Sequence, residues 1–118
     1  MKIYIAGKIT GDENYKAKFG KAEIELIRKG HTVFNPAKIP LNPQWTWEDY
    51  MSASEKMQKI CDAVLFLSDW EDSKGARRER IHACAWGQKI FDSPYDIPDI
   101  VSSKRKYSPE KMTVRAKR

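Results

Sequence analysis

Chemistry-bearing residues crowd into one stretch of this 118-residue chain, Trp70-Glu71-Asp72-Ser73-Lys74-Gly75-Ala76-Arg77-Arg78-Glu79. Residues 62–67 before it form a short apolar run that reads as a buried strand. Arg80-Ile81-His82-Ala83-Cys84-Ala85-Trp86-Gly87 after it reads as a helix ended by glycine. A strand, a polar turn carrying a glycine and a helix opening make an anion- and nucleotide-binding corner. Glu79 is expected early in that helix, where free N–H groups and the helix dipole favour an ionised carboxylate. Such a carboxylate at the rim of a cleft acts as a nucleophile or a base. Read plainly, it is a solvated glutamate in a favourable position.

The other candidates carry two readings each. Gly7, Lys8 and Thr10 follow the first strand and suit a phosphate cradle, but Gly-Lys-x-Thr without an upstream GxxxxG is no P-loop, and the segment also reads as a turn. Trp70 suits stacking on a base or lidding the core. Asn35-Pro36 ends a strand and shapes a pocket wall. Tyr4 either fills the edge of the core or faces the crevice. Arg77, Arg78 and Arg80 read as a solvent-facing basic cluster, with phosphate contact as the alternative. His82, three residues beyond Glu79, reads as a packing or surface residue.

The elements that must position these residues alternate along the chain. Lys2–Ala6 is the first strand. Residues 13–29 form an amphipathic helix with Tyr15, Phe19, Ala22 and Leu26 at helical spacing, stopped by Gly30. Thr32–Phe34 is the second strand. Thr46 and Asp49 make a capping box for a second helix whose apolar side carries Trp47, Tyr50, Met51, Met57 and Ile60. Residues 62–67 are the third strand, 74–86 the third helix and Lys89–Phe91 the start of a fourth strand. Residues 97–101 are a candidate fifth. This order predicts an α/β fold with a doubly wound parallel sheet of four or five strands and helices on both faces. The glycine and polar motifs all follow carboxyl ends of strands, where open α/β sheets bind ligands. One crevice lined by Tyr4, Asn35, Trp70 and Glu79 is the expectation.

Composition narrows the class. A charged fraction of 32% and an apolar fraction of 41% suit a globular domain. No apolar stretch approaches the ~20 residues a bilayer crossing requires. The first residues run directly into a strand with no signal-peptide pattern, so a cytoplasmic location is expected. Cys61 and Cys84 sit in apolar settings and are expected to be buried and reduced. Neither pairs with His31 or His82 at ligand spacing, so neither a metal site nor a cofactor is implied. The net charge of +6 belongs to the end of the chain. Lys104, Arg105, Lys106, Lys111, Arg115, Lys117 and Arg118 face only Glu110, leaving residues 1–103 neutral as the folded domain and 104–118 as a flexible basic tail. Nucleic acid is a partner only through that tail, where Tyr107 alone is available for stacking; a solubilising role is the other reading.

Three motifs taken together carry a family resemblance. Ile3-Tyr4-Ile5-Ala6-Gly7-Lys8-Ile9-Thr10-Gly11, Gly30-His31-Thr32-Val33-Phe34-Asn35-Pro36-Ala37, and Trp70-Glu71-Asp72-Ser73-Lys74-Gly75-Ala76 with Glu79 resemble the small DUF4406 proteins of bacteria and phages. These belong to the nucleoside 2-deoxyribosyltransferase-like superfamily. The resemblance spans residues 1–92 and implies a flavodoxin-like fold. It implies cleavage of the N-glycosidic bond of a nucleoside or nucleoside monophosphate, with Glu79 as the nucleophile at C1′ and Tyr4 orienting it. It implies that Ser73, with backbone N–H groups near Gly75, contacts phosphate. Where the transferase branch carries an aspartate on the preceding helix, this chain has Ser52-Ala53-Ser54-Glu55, and Asp72 is one place from the other expected acid. These departures favour a hydrolase over a deoxyribosyltransferase, and leave a non-catalytic nucleotide-binding or nucleotide-sequestering protein as the alternative. The superfamily also implies a homodimer or larger; Trp47, Tyr50 and Met51, apolar residues of the second helix expected to be exposed, are the candidates for the contact.

Overall fold

The computed structural model describes residues 1–100. Its core is a four-stranded sheet of β1 (Lys2–Ala6), β2 (Thr32–Phe34), β3 (Ala63–Phe66) and β4 (Lys89–Phe91), in the order β2-β1-β3-β4. Every neighbouring pair is parallel, with Tyr4 level with Phe34 on one side and Val64 on the other. Three α-helices fill the crossovers: α1 (Tyr15–Arg28), α2 (Trp47–Lys59) and α3 (Lys74–Ala85).

Strand alternation sorts the core into two layers. Ile3, Ile5, Ala63 and Leu65 face Phe19, Ala22 and Leu26 of α1. Tyr4, Ala6, Val64 and Phe66 face the opposite way, toward Cys61 and Ala83 of α3. The chain winds to one side of β1 through α1 and to the other through α2, so the crevice between β1 and β3 is a topological switch point. Tyr4, on the α3 side of a central strand, is thereby aimed under that crevice.

Local chemistry sets the element ends. The Asp12 carboxylate accepts the Asn14 N–H at 2.8 Å, a turn that delays α1 to Tyr15 rather than residue 13. Gly30 ends it at φ 93°, a conformation side chains resist. The capping box of α2 is formed in both directions between Thr46 and Asp49. Gly7 permits the close passage of the loops after β1 and β3, since a Cβ there would stand 3.0 Å from the Leu67 side chain.

Three expectations need correction. Residues 97–100 are not a strand. Pro94–Asp96 forms a 3-10 turn, and Ile97 is buried against α1 while His31 Nε2 meets the Pro98 carbonyl at 2.7 Å. These contacts consume polar groups a strand would present to β4; Val101 and the basic tail lie outside the described residues. Cys84 is exposed, because it points away from the sheet one residue past the buried Ala83; Cys61 is buried, and both are free thiols. On α2, Met51 is buried and Trp47 and Tyr50 are half-buried, all three turned into a cavity rather than outward.

Candidate functional site

A cavity of about 830 Å³ opens at the carboxyl ends of the strands. Its floor is Tyr4 and Glu79. The loop after β1 contributes Gly7, Ile9 and Thr10, and the segment after β2 contributes Pro36, Ala37 and Ile39. Trp47, Tyr50, Met51 and Ser54 of α2 form one wall. Asp72 and the first turn of α3 close it, with Ser73, Lys74, Gly75 and Ala76. The volume holds a nucleotide-sized ligand.

Glu79 is the chemical centre. Its side chain is in a residue only 6% exposed, and the Tyr4 hydroxyl donates to its Oε2 at 2.5 Å. Helix α3 begins at Lys74, so Glu79 lies in the second turn, beyond the unpaired N–H groups that were expected to favour its charge. Burial dominates instead and pushes the Glu79 carboxyl up to about 7, against the Tyr4 hydrogen bond, the neighbouring Ser54 hydroxyl and the charge of Arg78. Burial and the adjacent carboxylate also hold the Tyr4 phenol well above its usual range, so it remains a proton donor. A carboxyl poised near neutrality, held by one fixed hydroxyl at the floor of a cavity, can act as a nucleophile or a general acid–base group.

The opening of α3 supplies the anion-suited side. Ser73 is its N-cap, with Oγ accepting the Ala76 N–H at 3.0 Å. That leaves the hydroxyl hydrogen and the N–H groups of Lys74 and Gly75 with no helix carbonyl to take them up, in three residues that line the cavity. The Lys74 ammonium stands 4.7 Å from the Trp47 ring centre. Gly75 has a packing reason as well: a Cβ there would sit 3.1 Å from Met51 Sδ, so the glycine lets α3 approach α2.

Of the residues singled out from sequence, Tyr4, Gly7, Thr10, Asp72, Ser73, Gly75 and Glu79 share this cavity; Lys8, Asn35 and Trp70 are not among its lining. Asn35 is buried but turned into its own 3-10 turn, Pro36–Lys38, accepting the Ala37 N–H at 2.8 Å and donating to Glu23 at 2.9 Å. Trp70 packs edge-on against Phe66, and the Arg80 guanidinium covers its ring at 4.3 Å. The 3-10 turn Trp70–Asp72 produces that reversal. Lys8 serves through its backbone: its N–H reaches Asp69 at 3.1 Å and its carbonyl accepts from Lys18 Nζ at 3.0 Å. Lys18 also pairs with Asp12 and Asp69, tying the loop after β1 to the loop after β3. The arginines are engaged rather than free. Arg77 donates to the Glu71 carbonyl, Arg78 pairs with Glu48, and Arg80 pairs with Asp92. His82 stacks on Trp86, ring centres 4.7 Å apart.

Sequence reasoning passed over two residues of α2. Ser54 stands beside Tyr4 and Glu79, and Gln58 donates to the Glu79 backbone carbonyl at 2.9 Å. Gln88 clamps Gln58, donating to its carbonyl at 2.7 Å and accepting its amide at 3.0 Å. The signal was present: Met51, Ser54 and Gln58 share one helical face and are all buried. Among the described residues no group of three or more His, Cys, Asp or Glu is gathered as metal ligands, and no helix is long and apolar enough to cross a membrane.

This arrangement of sheet and cavity defines a class. The fold matches a 2-deoxyribosyltransferase from the psychrotolerant bacterium Bacillus psychrosaccharolyticus, with 25% identity and a TM-score of 0.60 over 76% of this chain and 69% of that one. It also matches a 2-deoxyribosyltransferase from Leishmania mexicana, with 21% identity and a TM-score of 0.59 over 75% of this chain and 61% of that one. The protein therefore has the nucleoside 2-deoxyribosyltransferase-like α/β fold. Residues 1–92 match the family described as a domain of unknown function, DUF4406, and the chain belongs to that family. No curated protein matches the sequence.

Proposed function

We propose that the protein cleaves the N-glycosidic bond of a nucleoside or nucleoside monophosphate, with Glu79 as the nucleophile. The observation that carries this reading is the buried Glu79 carboxyl fixed by Tyr4 at the floor of a nucleotide-sized cavity. Likeness in fold to two 2-deoxyribosyltransferases supports it.

In this reading the ionised Glu79 attacks C1′, and the C1′–N bond breaks with its electron pair on the departing base. Asp72, at the cavity wall, assists that departure by accepting a hydrogen bond from a water that in turn donates to the base. A glycosyl ester remains on Glu79. Water attacks the ester carbon C1′, loses its proton to solvent and restores the carboxylate; a second base attacking instead gives transfer. Tyr4 holds Oε2 so that the carboxylate keeps one orientation through both steps. Ser73 and the N–H groups of Lys74 and Gly75 hold a 5′-phosphate, Gly7 and Thr10 bound the sugar, and Trp47 and Tyr50 offer aromatic faces to the base. The stretch Ser52-Ala53-Ser54-Glu55, from which Ser54 lines the cavity, carries no aspartate, which favours hydrolysis over transfer.

Two further expectations belong to this reading. The protein acts as a homodimer or larger: Leu41 and Trp45, beside the cavity mouth, are 72% and 39% exposed and suit a neighbouring subunit. It acts in the cytoplasm, where its two free thiols stay reduced. Incubation with a panel of nucleosides and nucleoside monophosphates, scored by chromatography for free base, tests the function. Release of a base by the wild type and not by Glu79→Gln is expected. Tight binding of a panel member with no base released replaces catalysis with sequestration.

A further inference from the structure

Ser54 is a serine where packing alone asks for alanine. It occupies a buried position of α2, 5% exposed, in phase with Met51 and Gln58. Alanine forms helix better, and burying a hydroxyl is unfavourable unless it is bonded. The hydroxyl donates its one hydrogen to the Met51 carbonyl at 3.1 Å and shares the cavity with the Tyr4 hydroxyl and the Glu79 carboxylate, near enough to favour the charged form of each. The bond to Met51, three residues back in the same helix, is the resting choice for a helical serine. Rotation about one side-chain bond moves the hydrogen from that carbonyl to the carboxylate without moving the helix.

The case for such a rotation comes from what surrounds Glu79. Tyr4 comes from β1 and supplies one hydrogen bond to Oε2. Arg78, on α3 itself, supplies charge but is drawn outward by Glu48 and the Trp47 ring. Asp72 and Lys74 line the same cavity and bring opposite charges. From α2 the only groups are Ser54 and, one turn on, Gln58, whose amide holds the Glu79 backbone carbonyl rather than its side chain. A charged carboxylate in a buried setting needs more than one donor. Beyond Tyr4 and Arg78, Ser54 is the side chain among the described residues that favours the Glu79 charge, and it lines the same cavity.

We propose that Ser54 is a positioning residue for Glu79, its hydroxyl turning from the Met51 carbonyl to the Glu79 carboxylate when that group ionises, so that Ser54 and Tyr4 together hold the nucleophile. This rests on Glu79 being the working carboxylate, and the site then carries its second donor on α2 as a neutral hydroxyl. A neutral donor stabilises the anion without adding a negative charge beside it, and Gln58 keeps the backbone at the same residue in place.

The test titrates Glu79 itself and needs no turnover. Protein labelled with carbon-13 at the glutamate carboxyl is titrated by NMR, with the Glu79 signal assigned by its loss in Glu79→Gln. Ser54→Ala should raise the Glu79 midpoint by roughly one to two pH units, the worth of one charge-assisted hydrogen bond. Ser54→Thr, which restores a hydroxyl, should return the midpoint to that of the wild type. An unchanged midpoint in Ser54→Ala overturns the proposal. So does a raised midpoint that threonine fails to restore while circular dichroism shows the same fold, since that traces the shift to packing. Where a nucleoside is cleaved, the acid limb of kcat should move with the NMR midpoint while KM for an uncharged substrate stays within about twofold. A shifted midpoint with no cleavage of any substrate sinks the glycosidase reading and leaves the Ser54–Glu79 bond standing.

Discussion

Replacing Glu79 by glutamine should stabilise the protein, and do so more at high pH than at low. The argument is one of linkage. The folded carboxyl titrates at about 7 and an unstructured one at 4.5, because burial opposes the charge. The folded state thus keeps its proton to higher pH than the unfolded state does. Stability is fully present below the unfolded value, near 4.5, and is lost as pH rises through the folded value, near 7. A shift of that size corresponds to roughly 3 kcal/mol once both states are ionised. Most of it, about 2–3 kcal/mol, falls between pH 5 and pH 8. Glutamine keeps an oxygen to accept the Tyr4 hydrogen bond and carries no charge, so its stability lacks this slope. Urea unfolding of both proteins at pH 5 and pH 8 measures it. The difference between variant and wild type should widen toward pH 8 by about 2–3 kcal/mol, or on the order of 10 °C in Tm. Other titrating groups cancel in that comparison. A difference equal at the two pH values would mean that Glu79 ionises freely, and the desolvation argument would fail with it.

Other outcomes follow from the same geometry. Base release should rise with pH through about 7 as Glu79 ionises, read from kcat/KM between pH 5 and 9; a flat profile would remove the carboxylate from the rate-determining step. Tyr4→Phe should move that limb upward and lower kcat, with little change in substrate binding measured by calorimetry. Ser73→Ala should lower stability by about 1 kcal/mol through loss of the α3 cap, and should weaken monophosphates relative to nucleosides by roughly 1.5–3 kcal/mol. Equal weakening of both ligands would place the phosphate elsewhere. Sedimentation at tens of micromolar should give a dimer or larger, and a monomer mass would refute the assembly.

The strands and helices were legible because their patterns are strong. The continuous apolar run Ile3-Tyr4-Ile5-Ala6 suits a strand buried on both faces, and the helical spacing of Phe19, Ala22 and Leu26 buries one side of a helix. The cavity was legible at the level of loops, since polar turns after parallel strands converge by topology. Individual side chains were less so. Trp70 is two residues from Asp72, yet a 3-10 turn sends the tryptophan to Phe66 and the aspartate to the cavity. Asn35 caps its own turn, a choice that spacing does not reveal. Glu79 was expected to favour its charge on helix position, whereas its burial, a tertiary property, sets the opposite sign. Ser54 and Gln58 were hidden because polar residues on an apolar stripe read as gaps in the pattern, when here they are the contacts.

The most direct test of the central claim is to catch the bond that Glu79 is said to form. Wild-type protein mixed with the nucleoside or monophosphate it cleaves, quenched in acid before the ester turns over and digested, should yield a peptide containing Glu79 heavier by the glycosyl group, with the mass mapped to that side chain. Glu79→Gln treated in the same way should yield none and release no base. Base released at the wild-type rate by Glu79→Gln, or a glycosyl group carried on any other residue, would contradict the account.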